Sequence, residues 1–370
     1  MKVLHINSNY IFTWLHQKML ERLEGEEVTN TVFCPVSKTC KARITINDNV
    51  IVSRCFKKLD RLSFYYKQGK AIKALEQSVN VKDFDILHAY TLFTDGNIAY
   101  EINKRYGTPY VVAIRNTDMN AFFKYRPYLK SRALKILKNA SAVFFLSDVY
   151  KNSVFKKYIP ACIQTQIQDK TYVIPNGIDD LWLENICKKD APKGEEIRLV
   201  YAGAIDQNKN IITSLKACEK LIQMGYSVKY TAIGKVADRW VFNQILQQSF
   251  ATYLPPKTKE ELMEIYKAQN IFVMPSFHET FGLVYAEAMS QGLPVIYSRG
   301  QGFDGQFEDG FAGYSVDSAS DDEIAEAVIK ILADYEKISQ QCAKGCKRFN
   351  WKEISLEYIE IYKRILNNKR

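Results

Sequence analysis

Short apolar runs recur along the chain, each closed by Gly, Pro, Asn or Asp and separated by longer stretches of mixed character. In the first half they fall at residues 1–6, Thr31-Val32-Phe33, Asn49–Val52, Asp85–Tyr90, Pro109–Ile114 and Ala142–Leu146. In the second half they fall at Ile197–Gly203, Val228–Gly234, Ile271–Met274 and Val295–Tyr297. Runs of this length, bounded by turn residues, predict buried strands. Helices are expected between them: one ending near Gly25, one beginning at Thr94-Asp95-Gly96, and one capped by Ser147-Asp148. A late helix is expected from Asp321-Asp322-Glu323, and a last one from Phe349-Asn350-Trp351 to about Leu366. Strand alternating with helix predicts an α/β fold with parallel sheets. The run Val173–Asp179 closes the first half, and residues 186–196 have linker composition. The expected domains are therefore 1–185 and 197–350, with 351–370 as a separate closing helix.

At 370 residues the chain exceeds one ordinary core, in keeping with two domains. No apolar run reaches the roughly 18 residues needed to span a bilayer, and the N-terminus reads as a strand and not as a signal peptide. Eight cysteines lie without paired spacing, which suits reduced thiols in a cytoplasm. Cys342 and Cys346 are one helical turn apart but have no companions, so no zinc site is expected.

Charge divides the chain. The net charge is +10, and residues 1–185 hold 27 basic against 17 acidic side chains, so the second half is neutral. The excess is concentrated in residues 54–76 (Arg54, Lys57, Lys58, Arg61, Lys67, Lys70, Lys73) and 122–138 (Lys124, Arg126, Lys130, Arg132, Lys135, Lys138). Aromatic side chains are interleaved with these cations. No nucleic-acid motif accompanies the patches. Basic, aromatic-rich segments suit the face of an anionic membrane.

The candidate chemistry centres on Pro275–Ile296. A strand ends at Pro275, Gly282 opens a helix, and Gly292 with Pro294 closes it. Glu279 precedes the helix and Glu287 lies in its second turn, with the free amides of the helix N-terminus between them. The order is polar contact, anion cradle, polar contact. This stretch resembles the E-x7-E element of the retaining glycosyltransferases of family 4, which have the GT-B fold. That resemblance covers nearly the whole chain and is most specific here. It implies two Rossmann-like domains facing across a cleft, with the closing helix crossing back to the first. It also implies metal-independent hexosyl transfer with no cofactor, from a nucleotide sugar, UDP first and GDP second, to a glycan or lipid-linked acceptor. Capsular or other surface-polysaccharide assembly on the inner face of the cell membrane is the setting it suggests.

Carried over residue by residue, the resemblance places Glu279 by the donor sugar and Glu287 on the ribose. Thr280, Phe281, Gly282 and Leu283 fall at the diphosphate, Gly203 and Lys209 in the usual cation loop, and Tyr253 and Leu254 by the base. Ala204 stands where relatives have Arg; Arg299 is a candidate substitute, or else a surface cation. On the acceptor side fall Ser8, Asn9, His88, Asn116 and Asp118. Arg115 stands where many relatives have His; its guanidinium stays protonated and is no base. Holding an anionic acceptor, stabilising the leaving phosphate and pairing with Asp118 all remain open for it. Two other functions fit the same fold: a nucleotide-sugar epimerase, which needs acid and base groups from few histidines, and an inactive binding subunit.

Overall fold

The computed structural model describes all residues except 25–27, 43, 45, 46, 116, 193–195, 369 and 370. The chain divides into two units, Met1–Gly177 with Trp351–Arg370, and Ile178–Asn350. In the first, seven parallel strands are β1 (Lys2–Ile6), β2 (Thr29–Ser37), β3 (Val50–Phe56), β4 (Ile86–Ala89), β5 (Tyr110–Ala113), β6 (Ala142–Phe145) and β7 (Thr171–Val173). Their order across the sheet is β3-β2-β1-β4-β5-β6-β7. The second unit has β8 (Glu196–Ala202), β9 (Ser227–Ile233), β10 (Ala251–Leu254), β11 (Ile271–Met274), β12 (Val295–Ser298) and β13 (Gly313–Val316), ordered β10-β9-β8-β11-β12-β13. Each is a doubly wound sheet, and together they give the GT-B architecture expected from the sequence.

The direction of winding reverses between β1 and β4 in one sheet and between β8 and β11 in the other. At such a point the loops leaving two neighbouring strands diverge and open a crevice at their carboxyl ends. Any ligand site within a unit is expected there.

In the first unit, alternation along the strands sorts side chains to two faces. Leu4, Ile6, Leu87, Ala89, Tyr110, Val112, Val143 and Phe145 join one buried cluster with helices Phe64–Ser78, Asp95–Tyr106 and Lys130–Asn139. Val3, Ile86, Tyr90, Val111, Ala113, Ala142 and Phe144 join the other, under Trp14–Glu24 and the final helix Trp351–Asn367. That last helix buries Trp351, Ile354, Tyr358, Ile361 and Tyr362, an apolar stripe at three- and four-residue spacing.

Three strands went unread in the sequence: β7, β10 and β13. β7 and β10 are edge strands made of half-buried or exposed residues, and β13, the third edge, is buried only at its two ends. With one side unpaired, no continuous apolar run is required. The helix Asp321–Ala333 is capped by Ser320, whose side chain accepts from Glu323 N, while the three acids occupy its first turn. The stretch of linker composition lies on the second unit as far as it is described. Cys187 N donates to Ser290 O at 2.9 Å, and Lys189 Nζ donates to the carbonyls of Tyr266, Lys267 and Gln269. Among the described residues no helix is long and apolar enough to cross a membrane.

Candidate active site

At the crevice of the second unit, two loops are stitched together by asparagines. After β8, Asp206 Oδ1 accepts from Lys209 N at 3.0 Å and fixes a short turn. Asn208 Nδ2 donates to His278 O at 2.9 Å, its Oδ1 accepts from His278 N at 3.1 Å, and its carbonyl accepts from Phe277 N at 2.9 Å. Asn210 adopts a left-handed conformation (φ 54°), the one non-glycine residue to do so among those described. Its Nδ2 reaches Pro275 O at 3.0 Å and Ser318 O at 2.5 Å. The loop after β8 is thereby bound to the loop after β11.

The product is a charge pair: Lys209 Nζ lies 2.5 Å from Glu279 Oε2, the side chains 21% and 14% exposed. Glu279 Oε1 accepts from Thr280 N at 2.9 Å, and its own N–H donates to Gln301 Oε1 at 2.9 Å. Gly302 N donates to Glu279 O at 3.0 Å. A Cβ on Gly302 would stand 1.8 Å from Thr280 O, so only glycine allows this approach.

Gly282, at φ 75°, then turns the chain into the helix Leu283–Ser290. The helix begins at the switch point, so its unsatisfied amides and positive end face the same space as Lys209. Thr280, Gly282 and Leu283 flank this end. Phe281 does not: it is buried among Phe303 and Phe349 at ring distances of 6.3 and 5.6 Å. Tyr285 anchors the helix by donating to Met274 O at 2.5 Å. Glu287, one turn in, is partly buried, and no side-chain hydrogen bond is made by its carboxylate among the described residues. Burial pushes its pKa up to about 7, opposed by Lys259 and reinforced by Asp179.

Other expected residues are placed less directly. Gly203 packs against Tyr201, whose hydroxyl donates to Ala204 O at 2.6 Å; a Cβ there would meet that hydroxyl at the same distance. Tyr253 is partly buried on edge strand β10 and donates to Gly234 O at 3.0 Å, and Leu254 O accepts from Gly234 N at 3.0 Å. Arg299 is not brought to the Lys209–Glu279 pair. Its guanidinium is 2.8 Å from Glu323 and exposed, so it serves a surface ion pair in this structure.

In the first unit, Ser8 N donates to Asp95 Oδ1 at 3.1 Å, and Ser8 Oγ is 3.4 Å from Thr94 Oγ1, joining the loops after β1 and β4. Asn9 is exposed beside it. Asp118 is fully buried and accepts from the backbone N–H groups of Arg115, Leu92 and Phe93 at 2.9–3.1 Å. Its contact with Arg115 is thus through the main chain, and no ion pair joins the two side chains among the described residues. Arg115 instead lies against Tyr358, with its Nε buried and unpartnered. Asn116 lies outside the described residues.

His88 is not at a surface tip. It pairs in register with His5 on the face covered by the final helix, stacks on Tyr90 at 4.4 Å, and its Nδ1 is 2.5 Å from Tyr362 Oη. Burial lowers its pKa well below the usual value, and brings those of His5 and His16 to about 4 and about 3. These three histidines are neutral core groups.

Sequence reasoning passed over Asn208 and Asn210, which hold the charge pair in place; their signal was slight, an Asn-Lys-Asn run after a strand. Gln301 lies in the glycine-rich loop 300–310, whose resemblance to the family's donor-pocket loop implies a place at the site, but its bond to Glu279 N was not foreseen.

The model of the family Glycosyltransferase Family 4 matches residues 17–180, and that of Glycosyl transferases group 1 matches residues 184–348. The chain is 26% identical over 251 residues to a probable sucrose-phosphate synthase of Thermosipho melanesiensis, a match covering 64% of this chain and 58% of that protein. It therefore spans little more than half the length of that relative. Its fold matches the lipopolysaccharide outer core galactosyltransferase WaaB (TM-score 0.76, 15% identity, all of both chains). It also matches Anabaena HepE in complex with UDP and glucose (TM-score 0.68, 16% identity, 97% of this chain and 98% of that one).

Proposed function

Because a family 4 glycosyltransferase domain and a group 1 glycosyltransferase domain follow one another here, the chain belongs among the GT-B glycosyltransferases, and we propose that it transfers a hexose from UDP-sugar with retention. The observation that carries this reading is the Lys209–Glu279 pair held at the N-terminal end of the helix bearing Glu287. Lys209 and the helix amides suit a diphosphate, Glu279 the sugar beside it, and the unpartnered Glu287 a ribose. Such preorganised cations and amides stabilise charge as it develops on the leaving group.

In the proposed step the bond from the anomeric carbon to the diphosphate oxygen breaks. The acceptor oxygen bonds to that carbon on the same face, and the acceptor proton passes to the departing diphosphate. Glu279 positions the donor and forms no covalent intermediate. Lys209 takes the role usually shared with an arginine, since Ala204 offers no charge. No metal is needed, so turnover should survive EDTA; strict dependence on a divalent ion would refute that part.

UDP is favoured by the UDP-bound solved relative, and a surface glycan acceptor by the likeness to a lipopolysaccharide galactosyltransferase. The exposed Leu59, Leu62, Tyr65, Tyr66, Tyr125 and Tyr128 stand among the cations of the two basic segments, which supports seating on anionic lipid. The epimerase alternative loses ground, because His5, His16 and His88 are buried and neutral and only His278 is exposed.

Incubation with a panel of UDP- and GDP-sugars tests the central reading. Slow hydrolysis without acceptor and faster turnover with one are expected; interconversion of the sugar without acceptor would establish the epimerase. Cosedimentation with anionic liposomes across a salt series tests the membrane setting. Binding should need anionic lipid and fall with salt, and absence of binding at low salt would remove it.

A further inference from the structure

The crevice of the first unit contains a pocket of about 350 Å³ that draws on both basic segments. Arg61 and Lys67 reach it from the first segment and Arg126 from the second. Arg126 Nη2 donates to Arg61 O at 2.9 Å, so one segment is pinned to the other at the rim. Lys67 Nζ stands 4.8 Å from the centre of the Phe56 ring, and the Arg126 guanidinium 5.7 Å from that of Phe122. Aromatic walls therefore hold the cations without neutralising them. Lys70, in the first segment, is by contrast paired with Asp60 at 2.7 Å. No carboxylate forms an ion pair with Arg61, Lys67 or Arg126 among the described residues.

Three like charges gathered in a concave, partly desolvated site repel one another and focus positive potential. Lys67 shows the cost: burial lowers its pKa, Arg61 and Arg126 lower it further, and Asp95 opposes them. Two acids lie close by, but neither forms an ion pair with these cations among the described residues. The Asp118 carboxylate is taken up by three backbone N–H groups. Asp95 is fully buried, with Oδ1 on Ser8 N, and burial raises its pKa to about 7. On the same wall Ser8, Thr94 and Thr91 form a chain of hydroxyls at 3.4 and 2.5 Å, the kind of lining that suits a polyol.

We propose that this pocket is an acceptor subsite for a phosphate ester, with Arg61, Lys67 and Arg126 around the phosphate and the Ser8, Thr91 and Thr94 hydroxyls toward the attached sugar or alcohol. The proposal rests on the glycosyl-transfer reading and narrows its acceptor to a phosphorylated one. Soluble sugar phosphate and lipid-linked phosphate share this chemistry.

The test is titration of the full chain with glucose 6-phosphate, against glucose. A parallel titration uses phosphatidylcholine vesicles carrying a polyprenyl phosphate, against vesicles without it. At least one phosphate probe should bind in preference to its control, and the arm that responds identifies the source. Lys67→Gln and Arg126→Gln should each weaken that binding by about tenfold or more, as for loss of a charge-assisted contact, with UDP binding unchanged as the check on folding. The proposal is overturned if neither probe exceeds its control, or if both variants bind as the parent does. UDP binding that persists in that case leaves the glycosyl-transfer reading standing, whereas loss of UDP binding by the parent protein sinks the reading itself.

Discussion

The crevices of the two sheets occupy equivalent places and are furnished in opposite ways. In the second unit the cation Lys209 is paired with Glu279, and every loop around them is fastened through Asn208, Asn210, Gln301 and Gly302. In the first, Arg61, Lys67 and Arg126 surround a pocket with no acidic partner among the described residues. The paired site is built for geometry: its charges are fixed before any ligand arrives. The unpaired one is built for attraction, because its cations gain an ionic partner only once an anion is present. A transferase needs both, since the donor must be held in a reactive pose and the acceptor drawn in.

The most severe test of the paired site is Lys209→Ala. Loss of a main transition-state donor should lower turnover on the order of 10²–10³-fold, measured with saturating donor. A fall of less than about tenfold would mean the pair is structural, and the contrast between the crevices would fail. Glu279→Ala should cost about 10²-fold in transfer. The double variant should be far from additive, because the two groups act as one unit.

Gly302→Ala probes the fastening itself. The added methyl forces apart the Thr280 and Gly302 backbones, with an expected loss of about 1–3 kcal/mol in a denaturant titration. Unchanged stability would show that the loop relaxes freely and is not clamped.

The smallest effect concerns Glu287 and pH. Its pKa is raised from 4.5 to about 7 in the fold, so the folded state holds its proton more tightly than the unfolded chain does. Below about 4.5 both states are protonated and no penalty exists. Between about 4.5 and 7 the penalty grows, and above about 7 it is complete. Glu287→Gln should therefore melt like the parent at pH 4 and at a higher temperature by pH 8. A constant difference across that range would show that the group is solvated.

The unequal legibility of the two crevices has the same origin as their physics. Glu279, Gly282 and Glu287 lie on one strand-loop-helix unit, so their spacing in sequence is already their spacing in space. Lys209 was legible only through the family resemblance, which implies a lysine a few residues after the glycine that follows β8. For Arg299 two readings stood open, a substitute cation or a surface one, and its ion pair with Glu323 at the start of a neighbouring helix fits the second. Phe281, inside the motif, faces the core, which no spacing reveals. In the first unit, Arg61, Lys67 and Arg126 were visible as charge and not as a pocket, because they converge only through the tertiary bond from Arg126 to the Arg61 carbonyl. His88 looked like a strand-tip ligand until the final helix, far along the chain, covered its face of the sheet. The register of β1 with β4, which sets His88 beside His5, was the available clue.

The proposed division of labour runs along one loop-helix unit: Glu279, in the loop before the helix, for the sugar, and Glu287, within the helix Leu283–Ser290, for the ribose. Calorimetric titration of UDP, which has a ribose and diphosphate but no sugar to transfer, separates them directly. Glu279→Ala should bind UDP within about twofold of the parent, and Glu287→Ala should bind about 1–3 kcal/mol more weakly, the cost of losing its hydrogen bonds to the ribose. Equal losses in the two variants, or a loss confined to Glu279→Ala, would contradict the account.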